Sequence, residues 1–388
     1  MKPRKVQTSL SMSSAVGPEK SVFNRTRLAL ARKRRGLSKS ELATLIGVDL
    51  RAVVAFEAGE YFPASETVAQ IEEALGFPAS FFSGPDLDEP LADAVSFRSM
   101  SKMKPSRRDM ALTQGAIAIY LNSWLETQFE LPQAELPDLS HERSPEEASL
   151  ALRQIWGLGE VPIRNMVHLL EAKGIRVFSL AVDTREVDAF STWKERTPFV
   201  FLNNNKSSEH SRYDAAHELG HLILHRHGSP HGREAEREAD AFAAAFLMPT
   251  ASVIARAPRF PTLDDLVRLK RLWTTSVAAL NYRLHQVGML TDWQYRTLCI
   301  QIARRGYRTF EPNEAPRETS QLLPIILNAL YQEGIPRSHI ARTLSLPQSE
   351  LEELMFGLTI TGIEGNRRSA ARSSNRPQLV LVKNDKSK

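Results

Sequence analysis

Two histidines and a glutamate stand close together in the run His217-Glu218-Leu219-Gly220-His221. On a helix, residues at i and i+4 share one face with Cβ atoms about 6 Å apart, so one Zn²⁺ can bind both imidazoles at about 2.0–2.1 Å. Glu218 would then lie beside the ion, where a carboxylate acts as general base toward a bound water. An ordinary amphipathic helix with two histidines is the alternative. The spacing favours a zinc site with His217 and His221 as ligands and Glu218 as the catalytic residue.

A catalytic zinc site needs a third protein ligand and one open position. Glu236 and Asp240 follow His221 by fifteen and nineteen residues and are one helical turn apart, so both can face the same site. We predict that Glu236 is the third metal ligand and that Asp240 accepts the spare ring N–H of a ligating histidine. Glu238 competes with Glu236 by proximity, but only Glu236 has an aspartate at the required offset.

Two further histidines lie near the motif but do not fit the ion. His227 is six residues after His221, as a three-histidine zinc motif requires, but Leu224 occupies the position where that motif needs a glycine to turn. His225 is eight residues after His217, about 12 Å along a helix axis. We interpret His225 and His227 as end-of-helix histidines favoured by the helix dipole.

This region resembles the ImmA/IrrE family of zinc metallo-endopeptidases over about residues 145–255. The resemblance rests on His217 to His225, on Glu236-x-x-Ala239-Asp240-x-Phe242-Ala243, and on Leu247-Met248-Pro249. It implies a small α/β domain, with a few strands before the motif helix and helices after it, that acts on repressor proteins. The family usually has Asn at the position of Asp240, and Asp keeps the hydrogen-bond acceptor.

The composition bounds the class of protein. The 388 residues predict two or three domains. One cysteine, Cys299, excludes a disulfide framework and fits a reducing compartment. No apolar segment follows the basic start as in a signal peptide, and no apolar run reaches the length of a membrane span. We therefore expect a soluble, cytoplasmic protein with no membrane partner.

The formal charge of +5 is unevenly distributed. Residues 1–21 carry +3, residues 22–62 carry +4 and residues 365–388 carry +6, whereas residues 63–364 carry −8. A basic end can be only a solvated tail. Where it overlaps a DNA-binding pattern, contacts with phosphates explain it better.

Residues 22–83 have the pattern of a helix-turn-helix. Asn24 can cap a first helix that runs through the basic residues 32–35, and Ser38 with Glu41 forms a capping box for a second helix at 39–46. Gly47 supplies the turn, and Asp49 can cap a third helix at 50–58.

This unit resembles the XRE (phage-repressor) helix-turn-helix family. The resemblance is carried by Gly36-Leu37-Ser38-x-x-Glu41-Leu42-Ala43, Gly47-Val48, Phe56-Glu57-x-Gly59 and Pro63. It implies that the third helix lies in the major groove of double-stranded DNA.

The third helix has few side chains that can hydrogen-bond a base edge. We predict that Arg51 contacts guanine, that Lys39 contacts phosphate or base, and that Lys33 and Arg35 contact phosphates. A helical bundle used only for dimerisation is the alternative. Sequence discrimination should be modest.

The fold class predicted for the whole chain is multidomain and mainly α. We expect an all-α helix-turn-helix, a central α+β zincin-like domain with a small sheet, and a C-terminal helical region. The predicted segments are a disordered basic arm at 1–21, the helix-turn-helix at 22–83, a connector with a helix at 84–144, the zinc domain at 145–255, the helical region at 256–361 and a disordered basic tail at 362–388.

Three finer expectations concern the central and C-terminal segments. Strands are predicted near 175–181, 187–193 and 198–203, and the strand at 199–202 is expected to be the edge along which an extended peptide pairs. Residues 334–354 resemble a second helix-turn-helix whose last helix is acidic, which predicts a packing or partner surface instead of a DNA contact. Residues 379–382 could add a strand to another segment.

Two functional hypotheses follow. The first is a transcriptional regulator that binds promoter DNA as a homodimer on a two-fold site and whose zinc domain cleaves a repressor or another partner protein. The second is a repressor or antitoxin of a toxin–antitoxin or mobile-element system, in which the zinc domain only senses or binds a partner. For an oxyanion-stabilising group, His210, Arg212 and Tyr213 are weak candidates.

Overall fold

The structure, a computed structural model, describes residues 23–90, 95, 104–180, 189–226, 232–359 and 380–381. The described part of the chain is mainly helical with a small central sheet, which confirms the predicted fold class. The predicted arm at 1–21, the connector residues 91–94 and 96–103, the loop at 227–231 with His227, and most of the tail lie outside the described residues. Among the described residues, every helix is too short or too polar to cross a bilayer.

The N-terminal unit, residues 23–83, consists of short capped helices. Its elements are α1 (Arg25–Arg34), α2 (Lys39–Leu45), α3 (Leu50–Ala58), α4 (Ser65–Leu75) and a 3₁₀ turn (Ala79–Ser83). The Asn24 side chain accepts from the first turn of α1, Ser38 and Glu41 form the capping box, and Asp49 caps α3. The predicted helix starts are therefore confirmed, because each cap satisfies backbone N–H groups that have no partner inside the helix.

The central region joins one long helix to a three-stranded sheet. It contains α5 (Pro105–Gln128), β1 (Phe129–Glu130), α6 (Pro145–Ile155), α7 (Met166–Ala172), β2 (Arg176–Ser179), β3 (Ala189–Lys194), β4 (Thr197–Leu202), α8 (Ser208–Leu224), α9 (Arg233–Leu247) and α10 (Thr250–Ile254). The sheet order is β2-β4-β3, with β2 parallel and β3 antiparallel to β4. The sheet packs against α8, chiefly through β3 and β4.

One expectation about this sheet was wrong. Residues 199–202 belong to β4, which pairs on both sides and is the central strand, so β4 cannot accept a peptide along its edge. All four residues are buried, as is usual for a strand covered on both faces. The apolar run indicated burial but did not indicate which strand would be at the edge. In the described part of the sheet, the edges are β2 and β3.

The C-terminal region is helical, as predicted. Its helices are α11 (Leu263–Trp273), α12 (Val277–Gln286), α13 (Asp292–Arg304), α14 (Leu322–Gln332), α15 (Arg337–Thr343) and α16 (Gln348–Met355), followed by β5 (Val380–Leu381). β5 pairs antiparallel with β1. The prediction that this stretch adds a strand is confirmed, and the disorder of the tail stays a prediction.

The acidic helix α16 packs against the N-terminal unit, which confirms the predicted packing surface. Glu350 is 1 % exposed, and its carboxylate accepts from Arg34 Nε at 2.7 Å and from Arg35 Nη1 at 2.6 Å. Glu353 also pairs with Arg34. On its other side α16 contacts β2, and Asn204 Nδ2 donates to the Phe356 carbonyl at 2.8 Å. This helix thus connects the N-terminal unit with the central sheet.

Candidate metal centre

The two helices that carry the predicted metal ligands pack directly against each other. α8 carries His217 and His221, and α9 carries Glu236. They come close together at Gly220, where an added Cβ would lie 3.2 Å from the Ala239 Cα and 3.1 Å from the Phe242 ring. A larger residue at 220 would force the helices apart. Glycine between the two histidines therefore allows Glu236 to reach them.

The three predicted ligands present their donor atoms to one point. His217 Nε2 and His221 Nε2 are 3.0 Å apart, and the Glu236 carboxylate oxygens lie 3.4 Å from the first and 3.5 Å from the second. Tetrahedral coordination with bonds of about 2.0–2.1 Å places neighbouring donors about 3.3 Å apart. This donor triangle fits a zinc ion and leaves the fourth position for water or substrate.

Burial and pairing give the donor triangle unusual proton affinities. Burial acts to lower the pKa of His217, but hydrogen bonds to Asp240 and Glu236 outweigh it and raise the pKa to about 9. Burial lowers the pKa of His221 to about 4, against the opposing effect of Glu236. Burial also acts to raise the pKa of Glu236, but its bonds to both histidines hold it well below the usual range. A proton and a divalent cation therefore compete for the Nε2 atom of His217.

The structure places Asp240 where the orienting role requires it. Asp240 Oδ1 lies 3.0 Å from His217 Nδ1, on the side of the ring away from the donor triangle. The Tyr213 hydroxyl donates to the Asp240 backbone carbonyl at 3.0 Å and ties this turn of α9 to α8. With Nδ1 protonated, His217 directs the lone pair of Nε2 toward Glu236 and His221.

His225 has contacts that the helix-end interpretation did not predict. It is the C-terminal cap of α8, as expected, but its Nδ1 lies 3.0 Å from His221 Nδ1. Its Nε2 lies 2.8 Å from the carboxylate of Glu238. The sequence contains a signal for the first contact, because His221 and His225 are themselves at i and i+4. Glu238, weighed only as a rival ligand, points to His225 and not to the donor triangle.

Glu218 is buried and interacts electrostatically with His217 and Glu236 of the donor triangle. It is 1 % exposed, and the Ser191 hydroxyl on β3 donates to its Oε2 at 2.7 Å. Burial raises the pKa of Glu218 to about 8, although His217 and Ser191 act in the opposite direction. A carboxylate with a raised proton affinity is suited to general-base chemistry near neutral pH. Ser191 is far from Glu218 in sequence, and no sequence signal pointed to it.

The three weak oxyanion candidates have other contacts. Arg212 is buried and binds Glu318 and the Ile163 carbonyl, contacts that favour a role in the scaffold. Tyr213 donates to the Asp240 carbonyl, as described above. His210 Nε2 lies 3.8 Å from the Asp214 carboxylate, at the first turn of α8 and not at the motif.

The predicted DNA contacts fall into two groups on the N-terminal unit. Lys39 and Arg51 lie in the first turns of α2 and α3, where Lys39 Nζ is 3.2 Å from Glu57 and Arg51 is exposed. Lys33 and Arg35 lie at the end of α1. Lys33 is 3.4 Å from Glu89, and Arg35 donates to the Leu75 carbonyl at 2.7 Å as well as to Glu350. Direct contact with DNA remains a prediction for all four.

Two family models match separate parts of the chain. The helix-turn-helix model matches residues 28–82, and the peptidase M78 model, described as IrrE N-terminal-like domain, matches residues 170–285. No curated protein sequence matches the chain. The two matches confirm the predicted fusion of an XRE-type helix-turn-helix DNA-binding domain with an ImmA/IrrE-like metallopeptidase domain. The second match continues past residue 255 and covers most of α12. The end of the zinc domain at residue 255 therefore stays a proposal, and the family match extends beyond it.

Proposed function

We propose that the protein is a transcriptional regulator whose zinc-dependent endopeptidase domain cleaves a repressor or another partner protein. The observation that carries this proposal is a buried carboxylate, Glu218, that interacts electrostatically with His217 and Glu236, two of three residues whose donor atoms are spaced for one zinc ion. Regulation is supported by the helix-turn-helix domain in the same chain. The DNA ligand we propose is a two-fold promoter site bound by a homodimer.

His217, His221 and Glu236 would hold the ion. When bound, zinc supplies Lewis-acid polarisation of a peptide carbonyl and lowers the pKa of a water. Glu218 takes the proton of the attacking water on its carboxylate and returns it to the nitrogen of the leaving amine. Ser191 holds the Glu218 carboxylate in place during both transfers. Asp240 holds His217 in the tautomer whose Nε2 carries a lone pair.

The substrate would pair with β3 instead of β4. β3 is an edge of the described sheet, and its residue Ser191 reaches the Glu218 side chain. An extended peptide added along β3 would gain backbone hydrogen bonds and pass close to the donor triangle. This replaces the earlier assignment of residues 199–202 as the pairing edge.

The link between peptidase and DNA-binding domain would run through α16. The first connector residues are bound to the N-terminal unit, since Arg27 Nε donates to the Pro85 carbonyl and Asn24 to Asp86. α16 contacts both Arg34 and the central sheet. A partner that competes for α16 would therefore change the DNA-binding domain only if it binds the docked and undocked states with different affinity. Cleavage of the connector between Gly84 and Ser106 is the other route.

The alternative function is a repressor or antitoxin whose zinc domain only senses or binds a partner. The observation in its favour is that Glu218 is almost fully buried and already bonded to Ser191. A group held in this way must remain accessible to a water molecule if it is to act as a base.

One experiment separates the two functions. The full chain, the variant Glu218→Gln and the matched control Glu234→Gln, an exposed glutamate of α9, are each incubated with a lysate of the source cells. New protein N-termini are then identified by mass spectrometry. We expect new termini with the parent and with Glu234→Gln and none with Glu218→Gln, while all three retain zinc. Identical termini in all three proteins, or none in any, would support the sensor function.

A promoter-reporter assay tests the coupling. Glu218→Gln should retain operator binding and yet respond differently from the parent under stress. Identical responses of the parent, Glu218→Gln and His217→Ala would mean that the zinc domain does not control the DNA-binding domain.

A further inference from the structure

A chain of three polar side chains leads away from the donor triangle on the side of His221. His221 Nδ1 and His225 Nδ1 are 3.0 Å apart, and His225 Nε2 is 2.8 Å from Glu238 Oε2. His221 is 3 % exposed, so a polar ring nitrogen there needs a partner inside the protein. The side chain of His225 is 10 % exposed, and that of Glu238 is 44 % exposed. The chain therefore runs from a buried ligand to the surface.

We infer that His225 and Glu238 are positioning residues that orient His221 and set its tautomer at the candidate metal centre. The inference rests on the proposed zinc site and adds to it a support on the His221 side. Neither residue binds the ion. They act on it only through His221.

The proton positions follow from the two short contacts. A carboxylate only accepts hydrogen bonds, so the contact with Glu238 requires a proton on His225 Nε2. A neutral His225 then has a lone pair on Nδ1 and must accept there. The contact with His221 is therefore a bond from His221 Nδ1–H to His225 Nδ1. With Nδ1 protonated, the neutral His221 presents its Nε2 lone pair to the donor triangle, as a metal ligand requires.

The two histidine ligands are thus oriented in different ways. His217 donates directly to a carboxylate, Asp240, across one contact. His221 donates to a second imidazole, which in turn donates to a carboxylate. The acceptors Asp240 and Glu238 belong to α9, and the acceptor His225 is at the end of α8. The packing of these two helices therefore sets the tautomers of both histidine ligands. The His221 ring already lies near one carboxylate, that of Glu236. Because its other nitrogen contacts His225, the ring is oriented without a second carboxylate in contact with it.

Zinc affinity of the full-length chain is the direct test, measured by competition with a chromophoric chelator. Loss of an orienting partner lowers metal affinity by about 10–100-fold. We expect His225→Ala to fall in this range and Glu238→Gln near its lower end, because Glu238 is half exposed. His339→Ala and Glu333→Gln replace exposed residues of the same types in the C-terminal region, away from α8 and α9, and should leave the affinity unchanged.

A conservative variant separates orientation from general damage to the fold. In His225→Asn the side-chain carbonyl can stand where Nδ1 stands and accept from His221, but the side chain is too short to reach Glu238. We expect His225→Asn to recover most of the affinity lost in His225→Ala. Equal losses in the two variants, with thermal unfolding of the metal-free proteins unchanged, would overturn the inference.

Nitrogen-15 NMR of the imidazole rings reads the tautomer itself. The parent should show His221 protonated on Nδ1 and His225 protonated on Nε2, and Glu238→Gln should weaken the second preference. Parent-like zinc affinity in His225→Ala, or His221 protonated on Nε2 in the zinc-loaded parent, would also overturn the inference. A parent chain that binds no zinc would instead contradict the metal site on which the inference rests.

Discussion

The metal centre and the exposed face of α3 are built in opposite ways. At the metal centre, His217, His221 and Glu236 converge from two packed helices, and the two rings are almost fully buried. On α3, the outward residues include Leu50 and Val54, which are 45 % and 41 % exposed, and the exposed Arg51. Contacts inside the chain fix the geometry of the metal centre. On the exposed face of α3, only a bound ligand could fix the positions of the side chains.

The difference shows where the geometry of the metal centre and the selectivity of α3 toward DNA originate. A buried cluster of titratable groups is costly unless each group is paired, so the chain maintains the bonds to Asp240, His225 and Ser191 that stabilise it. Such a cluster is a mark of a functional site. An exposed helix face has no such cost. Its selectivity toward DNA must arise from contacts with base edges at the moment of binding.

The largest expected effect is the loss of the metal. The parent should bind about one zinc per chain, and the double variant His217→Ala/His221→Ala should bind none, because two of three protein ligands are gone. Glu236→Ala should bind zinc much more weakly. Metal content after dialysis, measured by plasma mass spectrometry, checks this. Full occupancy in the double variant would show that the donor triangle is not the site.

The second largest effect is expected when the buried contact between α16 and the N-terminal unit is disrupted. Glu350→Gln removes one charge that pairs with Arg34, and loss of one partner of a buried ion pair costs about 3–5 kcal/mol, here toward the lower end because Arg34 keeps its pair with Glu353. The first transition in urea unfolding should therefore move to lower concentration.

The control for that change is Glu352→Gln in the same helix. Glu352 is exposed and accepts from Gln348, one turn away, so its loss should cost about 0.2–0.5 kcal/mol. Equal shifts for the two variants would show that α16 is not held by its buried pair.

Arg51 tests whether α3 reads bases. On a duplex selected by the full chain from a randomised pool, Arg51→Ala should lower the preference over random duplex by about 1–3 kcal/mol, the discrimination typical of one bidentate base contact. Lys33→Ala should instead weaken binding to both duplexes alike and reduce the dependence on salt. Lys33 is a cleaner control than Arg35, which also holds Glu350. A uniform loss for Arg51→Ala would place Arg51 on phosphate.

The smallest effect concerns Leu50 and Val54. Apolar side chains in the major groove contact the methyl group of thymine, and each buried methyl contributes about 0.8 kcal/mol, roughly a fourfold change in affinity. Replacing thymidine by deoxyuridine in the selected duplex should therefore weaken binding. Leu50→Ala/Val54→Ala should bind the two duplexes with equal affinity. An unchanged preference in this variant would mean that these side chains lie outside the groove.

Local signals predicted most of the helices. Asn24, Ser38 and Asp49 were recognised as helix caps, and each begins a helix at the expected residue. This succeeded because a cap and the N–H groups it satisfies lie within four residues of each other. The order of the strands was not accessible in the same way. β4 is as long as the edge strand β3, and only pairing with β2 and β3 makes it central.

Sequence alone determined that His217, Glu218 and His221 stand together, because the period of one helix sets their geometry. It also determined the capped helices of the N-terminal unit and both family resemblances. Only the tertiary structure decided that Ser191 holds Glu218, that Glu238 serves His225, and that α16 binds Arg34. These contacts join residues that are distant in sequence, or depend on how two helices are rotated against each other. No local pattern encodes that rotation; it is set by the packing of the whole core, including the close approach at Gly220.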